Sequence, residues 1–229
     1  MKMNLVFALA AVLAAAPLVA APEAKDKPKD EAAEQAGPTP EQLKARKAKK
    51  PAGYTKFAEA KAVAEKCGQP ILAVVMPDRN QYIATVKQKV INHKAFKEFT
   101  QKNCVVLFMS LKLDGKDPKK IETRPLKEPE LKFLENFGVT KRMIDQAKQY
   151  NKPEPKYTDT SCYPAIFFVD SQAQKELFRV NLSTFNKDST IGEWLVAVVE
   201  EFRSKVSEPE LSPLLNKILE NPDDPKKWK

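Results

Sequence analysis

From Tyr54 onward the chain alternates apolar clusters with polar breaks, and the spacing inside each cluster predicts its element. Phe57, Ala60, Val63, Ala64 and Cys67 recur at helical spacing, and Gly68 stops them. Pro70 then opens Ile71-Leu72-Ala73-Val74-Val75-Met76, a continuous apolar run of strand length, as in a strand buried on both faces. A turn is predicted at Pro77-Asp78-Arg79-Asn80. Beyond it Ile83, Val86 and Val90 share one helical face, and Asn92 caps a continuation that carries Phe96 and Phe99. Val105 to Leu111 predicts the next strand, 114–129 a proline-broken surface loop, and Glu130 to Phe137 a short helix closed by Gly138.

An interruption follows Val139. Its front half predicts one or two amphipathic turns, stopped by Pro153 and Pro155. Ala165–Val169 and Glu176–Val180 predict two strands joined by a turn at Asp170-Ser171-Gln172-Ala173, antiparallel because the connection is hairpin-sized. Thr190 to Phe202 predicts a helix burying Ile191, Leu195, Val198 and Val199. Ser212-Pro213 opens a last helix, with Leu211, Leu214, Leu215, Ile218 and Leu219 close together, before a charged tail. The order helix, strand, helix, strand, helix, strand, strand, helix is satisfied by one mixed sheet with helices on both faces and right-handed crossovers in its parallel part.

The first 53 residues read differently. Residues 1–21 have a basic start at Lys2, an apolar stretch from Leu5 to Ala16 and a small-residue exit at Pro17 to Ala21, the layout of a signal peptide. The expected mature protein is soluble and periplasmic or secreted, a setting in which a disulfide can persist. Residues 22–53 are mostly Ala, Lys, Glu and Pro and should form a flexible basic tether. Within it Thr39-Pro40-Glu41-Gln42 marks a brief helix start. Lys44, Arg46, Lys47, Lys49 and Lys50 read either as adhesion to an acidic envelope surface or as a solvated tether, and the tether is the favoured reading.

Composition narrows the chemistry further. The 229 residues hold 39 Lys plus Arg against 30 Asp plus Glu, a net charge of +9. Only 6 glycines leave no glycine-rich phosphate loop, and one histidine with three cysteines is poor material for a zinc site. Paired catalytic carboxylates at a credible site are missing too. No cofactor or metal is therefore expected. Nucleic acid is not expected either, since no aromatic platform is interleaved with the basic run.

Four segments, in order, carry a resemblance to the thioredoxin-like domains of exported bacterial proteins. Gln69 to Val75 is similar to the family's first core strand, and Val90 to Phe99 to the helix that follows. Phe137-Gly138-Val139 is similar to the approach to its cis-proline strand, and Tyr163 to Asp170 to that strand, with Pro164 at the cis-proline position. The resemblance covers 54–204 and leaves 205–229 as a C-terminal helix and charged tail. It implies an α/β three-layer sandwich with a mixed central sheet, a cis-proline strand and two insertions, 114–129 and 140–162.

The family's chemistry needs a Cys-x-x-Cys pair at the start of the helix after the first strand, where the helix N-terminus lowers a thiol pKa and the second thiol resolves the mixed disulfide. Those positions are Asn80 and Ile83 here, and no cysteine lies between Cys67 and Cys104. The resemblance implies a redox-inactive domain, more a binding protein than an enzyme. Asp78, Arg79, Asn80, Tyr82, Cys162, Tyr163 and Pro164 would then frame a groove for an unidentified protein or peptide. It also makes the strands after Cys67 and Cys104 parallel neighbours, which would permit a structural disulfide between them. Two alternatives stay open: single-thiol redox or peroxide chemistry at Cys162, and a structural role at the envelope. His93 reads as an exposed helical residue, and the oligomeric state is open.

Overall fold

Two rows of side chains leave opposite faces of β1 (Ile71–Pro77), and each row seeds its own core. The computed structural model describes residues 37–48, 50–78, 83–124, 128–150, 164–180 and 191–228. Leu72 and Val74 point to one core together with Val106, Ile166 and Phe168. Ile71, Ala73 and Val75 point to the other with Val105, Leu107, Met109, Phe167 and Val169. The period-two alternation of a strand buried on both faces thus divides one apolar run between two cores.

The strands lie in the order β2 (Val105–Leu111), β1, β5 (Ala165–Val169), β6 (Glu176–Val180). β1 and β2 run parallel, from Ile71 beside Val105 to Pro77 beside Leu111. β5 is antiparallel to β1, from Ile71 beside Val169 to Val75 beside Ala165, and β6 is antiparallel to β5. The hairpin turn forms where the sequence placed it: Asp170 Oδ1 accepts from the N–H groups of Gln174 and Lys175 at 2.6 and 3.1 Å. α4 (Lys94–Asn103), α7 (Ile191–Lys205) and α8 (Pro213–Glu220) cover the first core. α2 (Phe57–Cys67), α5 (Glu130–Asn136) and α6 (Val139–Tyr150) cover the second. The result is a mixed four-stranded sheet flanked by helices on both faces.

Several local expectations are corrected. The helical stretch after β1 is not continuous. α3 (Ile83–Val86) passes into a π-helical turn over Lys87–Ile91, which buries the consecutive residues Val90 and Ile91, and it stops at Asn92. His93, not Asn92, occupies the N-cap of α4, and it is half-buried. Part of the predicted surface loop is folded: β3 (Leu113–Asp114) pairs antiparallel with β4 (Glu122–Thr123), and Leu113 and Ile121 are buried beneath them. α6 runs to three turns, because Val139, Met143 and Ala147 recur every four residues and pack on the second core.

Residues 38–229 form one compact unit. Leu215 and Ile218 of α8 are fully buried in the first core, so this helix packs on the domain. At the other end α1 (Pro40–Lys47) forms with the complete capping box predicted at Thr39 and Gln42. It belongs to the folded unit, which begins at Pro38. Tyr54 then bridges to β2, its N–H donating to Val106 O at 2.8 Å and its carbonyl accepting from Phe108 N at 2.7 Å. The predicted signal peptide and the stretch 22–36 lie outside the described residues, and so do the rear of the second insertion and residues 181–190. No helix among the described residues is long and apolar enough to cross a membrane.

Candidate functional site

The β1–β5 register fixes one pole of the molecule. Ala165 pairs with Val75, so Pro164, buried, meets the last residues of β1 as that strand runs out through Pro77 into Asp78. The structure therefore brings Asp78 and Pro164 to the same end of the sheet. Arg79, Asn80, Tyr82, Cys162 and Tyr163 lie outside the described residues, and with Tyr163 so does the peptide bond expected to be cis at Pro164. Ile83, the second of the two motif positions, begins α3.

Asp78 has a task of its own. Its N–H donates to Leu111 O at 3.0 Å, and its Oδ1 accepts from Leu113 N at 2.9 Å. One carboxylate thus ties the end of β1 to the corner where β2 turns into β3. The side chain is exposed at this pole and holds the backbone that shapes it.

The opposite pole carries the two described cysteines. Cys67 ends α2, and Cys104 precedes β2, whose first N–H donates to Pro70 O at 2.9 Å. The strands are parallel neighbours as expected, yet the expected bridge is not there: both residues are buried free thiols. A reason is visible at Cys104, whose Sγ turns back along its own helix and donates to Thr100 O at 3.4 Å. Burial pushes the Cys104 thiol up to about 12, against the opposing pull of the Lys50 ammonium. It is protonated at neutral pH and a poor nucleophile. Among the described residues there is no cysteine pair for disulfide chemistry and no cluster of metal-ligating side chains.

Two residues gain importance that their sequence pattern did not reveal. Arg46 donates from Nε to Cys67 O at 2.9 Å and from Nη2 to Gly68 O at 2.7 Å. Lys50 Nζ donates to Gln69 Oε1 and, at 3.4 Å, to Cys104 O. Cations at a helix C-terminus complement its orphan carbonyls and dipole. The sequence showed a cation-rich helix but carried no sign of which carbonyls it would meet.

His93 is likewise not the exposed helical residue expected. Its ring stands edge-on to Trp228, with centroids 6.2 Å apart, its Nδ1 is buried with no hydrogen-bond partner among the described residues, and burial lowers its pKa. This histidine caps the N-terminus of α4, and Cys104 stands at the other end of that helix.

No family model and no curated protein matches the sequence. Among solved structures the chain is similar to one titled DsbH Oxidoreductase, at a TM-score of 0.38 and 15% identity, over 69% of this chain and 90% of that chain. The architecture described above rests on the strand order and register alone.

Proposed function

We propose that this chain is an exported, redox-inactive thioredoxin-like protein that holds a protein or extended peptide at the pole where β1 ends and β5 begins. The observation that supports the reading is that Asp78 and Pro164 lie at the same end of a sheet ordered β2-β1-β5-β6, in a sequence with no thiol between Cys67 and Cys104. In a domain of this kind a thiol pair at that pole performs exchange, and the loss of both positions leaves the surface without its chemistry. The hydrogen bond from Leu113 to Asp78 supports a fixed backbone there, which lowers the ordering cost of binding. Arg79, Asn80 and Tyr82 from one side, and Cys162 and Tyr163 from the other, would supply the contacts.

Photo-crosslinking tests this in the native host. A photoreactive residue at 82 or 163 of the full chain should give a discrete adduct, while the same residue at 205, on the far end of α7, should give none. Tyr163→Ala should deplete the adduct formed from 82. Equal adducts from all three positions, or none from 82 and 163, would overturn the reading.

A further inference from the structure

The segment ahead of the domain is held in an unusual way. α1 buries none of its residues, and Leu43 on its outer side is 45% exposed. What fastens it, together with the chain up to Gly53, is a set of donors placed on carbonyl oxygens. Arg46 covers Cys67 O and Gly68 O, the last carbonyls of α2, and Lys50 spans from Gln69 Oε1 to Cys104 O. Gln69 in turn donates to Lys102 O, so Lys50 joins the end of α2 to the end of α4. Gly68 closes α2 with φ +57, and a Cβ there would stand 2.5 Å from Gln42 Nε2, so the strap lies directly on this turn.

Beneath these contacts sit the two thiols. Cys67 and Cys104 are each 2% exposed, as is Gln69 between them in the chain. Segments held by few apolar contacts open at the low end of a protein's range of local stabilities, while sheet cores open only with global unfolding. The two kinds of attachment meet here within a few residues: polar plugs for the strap, full apolar burial for Ile71 and Val105 just beyond.

We propose that Pro38 to Gly53 is a releasable strap, pinned by Arg46 and Lys50 over the cysteine-bearing pole, and that its release opens Cys67 and Cys104 to solvent while the sheet stays folded. The proposal concerns the pole opposite the binding surface and does not depend on that reading. It makes the N-terminal segment a gate: whatever draws the basic strap away exposes thiols that are otherwise shielded.

Native-state alkylation of the full chain by N-ethylmaleimide, read site by site by mass spectrometry, tests it. Arg46→Ala/Lys50→Ala removes the pins, and labelling of Cys67 or Cys104 should rise about tenfold or more, the equivalent of losing one or two charge-assisted hydrogen bonds. Amide exchange of β1 measured in the same samples should stay at its wild-type rate. Arg46→Lys/Lys50→Arg keeps both cations and should restore part of the protection. Unchanged labelling in the double alanine variant would overturn the proposal. So would a rise matched by equally faster exchange in β1, because that is global destabilisation. Should the double variant not fold, the wild type decides: the amides of α1 must exchange at least about tenfold faster than those of α2 and independently of low denaturant, and exchange in step with β1 would sink the strap.

Discussion

Asn103 and Glu210 pair through one side chain and one backbone: Asn103 Nδ2 donates to Glu210 O at 2.9 Å, and Glu210 N–H donates to Asn103 Oδ1 at 2.7 Å. The amide imitates a peptide group and fastens the end of α4 to the segment that leads into α8. A third bond, from Nδ2 to Phe99 O at 2.9 Å, satisfies the remaining donor. Removing the amide leaves the partly buried N–H and carbonyl of Glu210 without these partners. Asn103→Ala should therefore lower stability by about 2–3 kcal/mol, seen as a lower urea midpoint at unchanged slope. The neighbouring ion pair between Lys102 and Glu210, 2.6 Å long but exposed, is the internal comparison. Lys102→Ala should cost at most about 1 kcal/mol. Equal losses in the two variants would contradict the assignment of the clamp to Asn103.

Gly192 sets the position of the C-terminal tail. A Cβ at this residue would stand 2.0 Å from Pro222 O and 2.8 Å from Trp228 Cζ2, and the first of these is backbone. Trp228 is anchored further by its Nε1 donating to Asn221 O at 2.7 Å. Gly192→Ala should push the tail off α7 at a cost of about 1–3 kcal/mol. The signs would be a red-shifted tryptophan emission and faster proteolysis after Lys226 or Lys227. An unchanged emission spectrum would show that the tail does not pack as described.

His93 gives a pH dependence of known sign. Burial lowers its folded-state pKa below the ordinary value, so over the window between the two the unfolded chain binds more protons. Stability should drop as pH falls through that window, starting near the ordinary histidine value of about 6.5, and level off once both states are protonated. Chemical denaturation at stepped pH should show the decline, and His93→Gln should remove its contribution. A wild-type curve that His93→Gln leaves unaltered would contradict the buried, unpartnered Nδ1.

The sheet was legible from sequence because its two central strands are compact apolar runs, and Ile71 to Val75 alternates between two cores without any polar interruption to hide it. The capping box at Thr39 and Gln42 was legible for a similar reason, being a local pattern closed within four residues. What escaped notice depends on distant partners. Arg46 and Lys50 bind backbone carbonyls, which every residue carries, so no pattern in the chain announces them. β3 and β4 are two residues each, too short for periodicity to register, and are fixed by the burial of Leu113 and Ile121. At the candidate site, Asp78 was singled out for binding, and its tie to Leu113 gives it a structural duty that composition cannot show. At the cysteine pole the parallel strands were foreseen, but no pattern in the chain announced that Cys104 Sγ would turn to Thr100 O.

The proposal that the β1–β5 pole has no thiol chemistry is tested most directly by disulfide reduction. The chain from residue 22 onward would be mixed with a disulfide-bonded protein substrate and a small dithiol reductant, and the rate followed beside a protein-free control. The account predicts the control rate, for the wild type and for Cys162→Ala alike. A rate well above the control that Cys162→Ala abolishes would contradict it, and would return the pole to redox chemistry carried by a single cysteine.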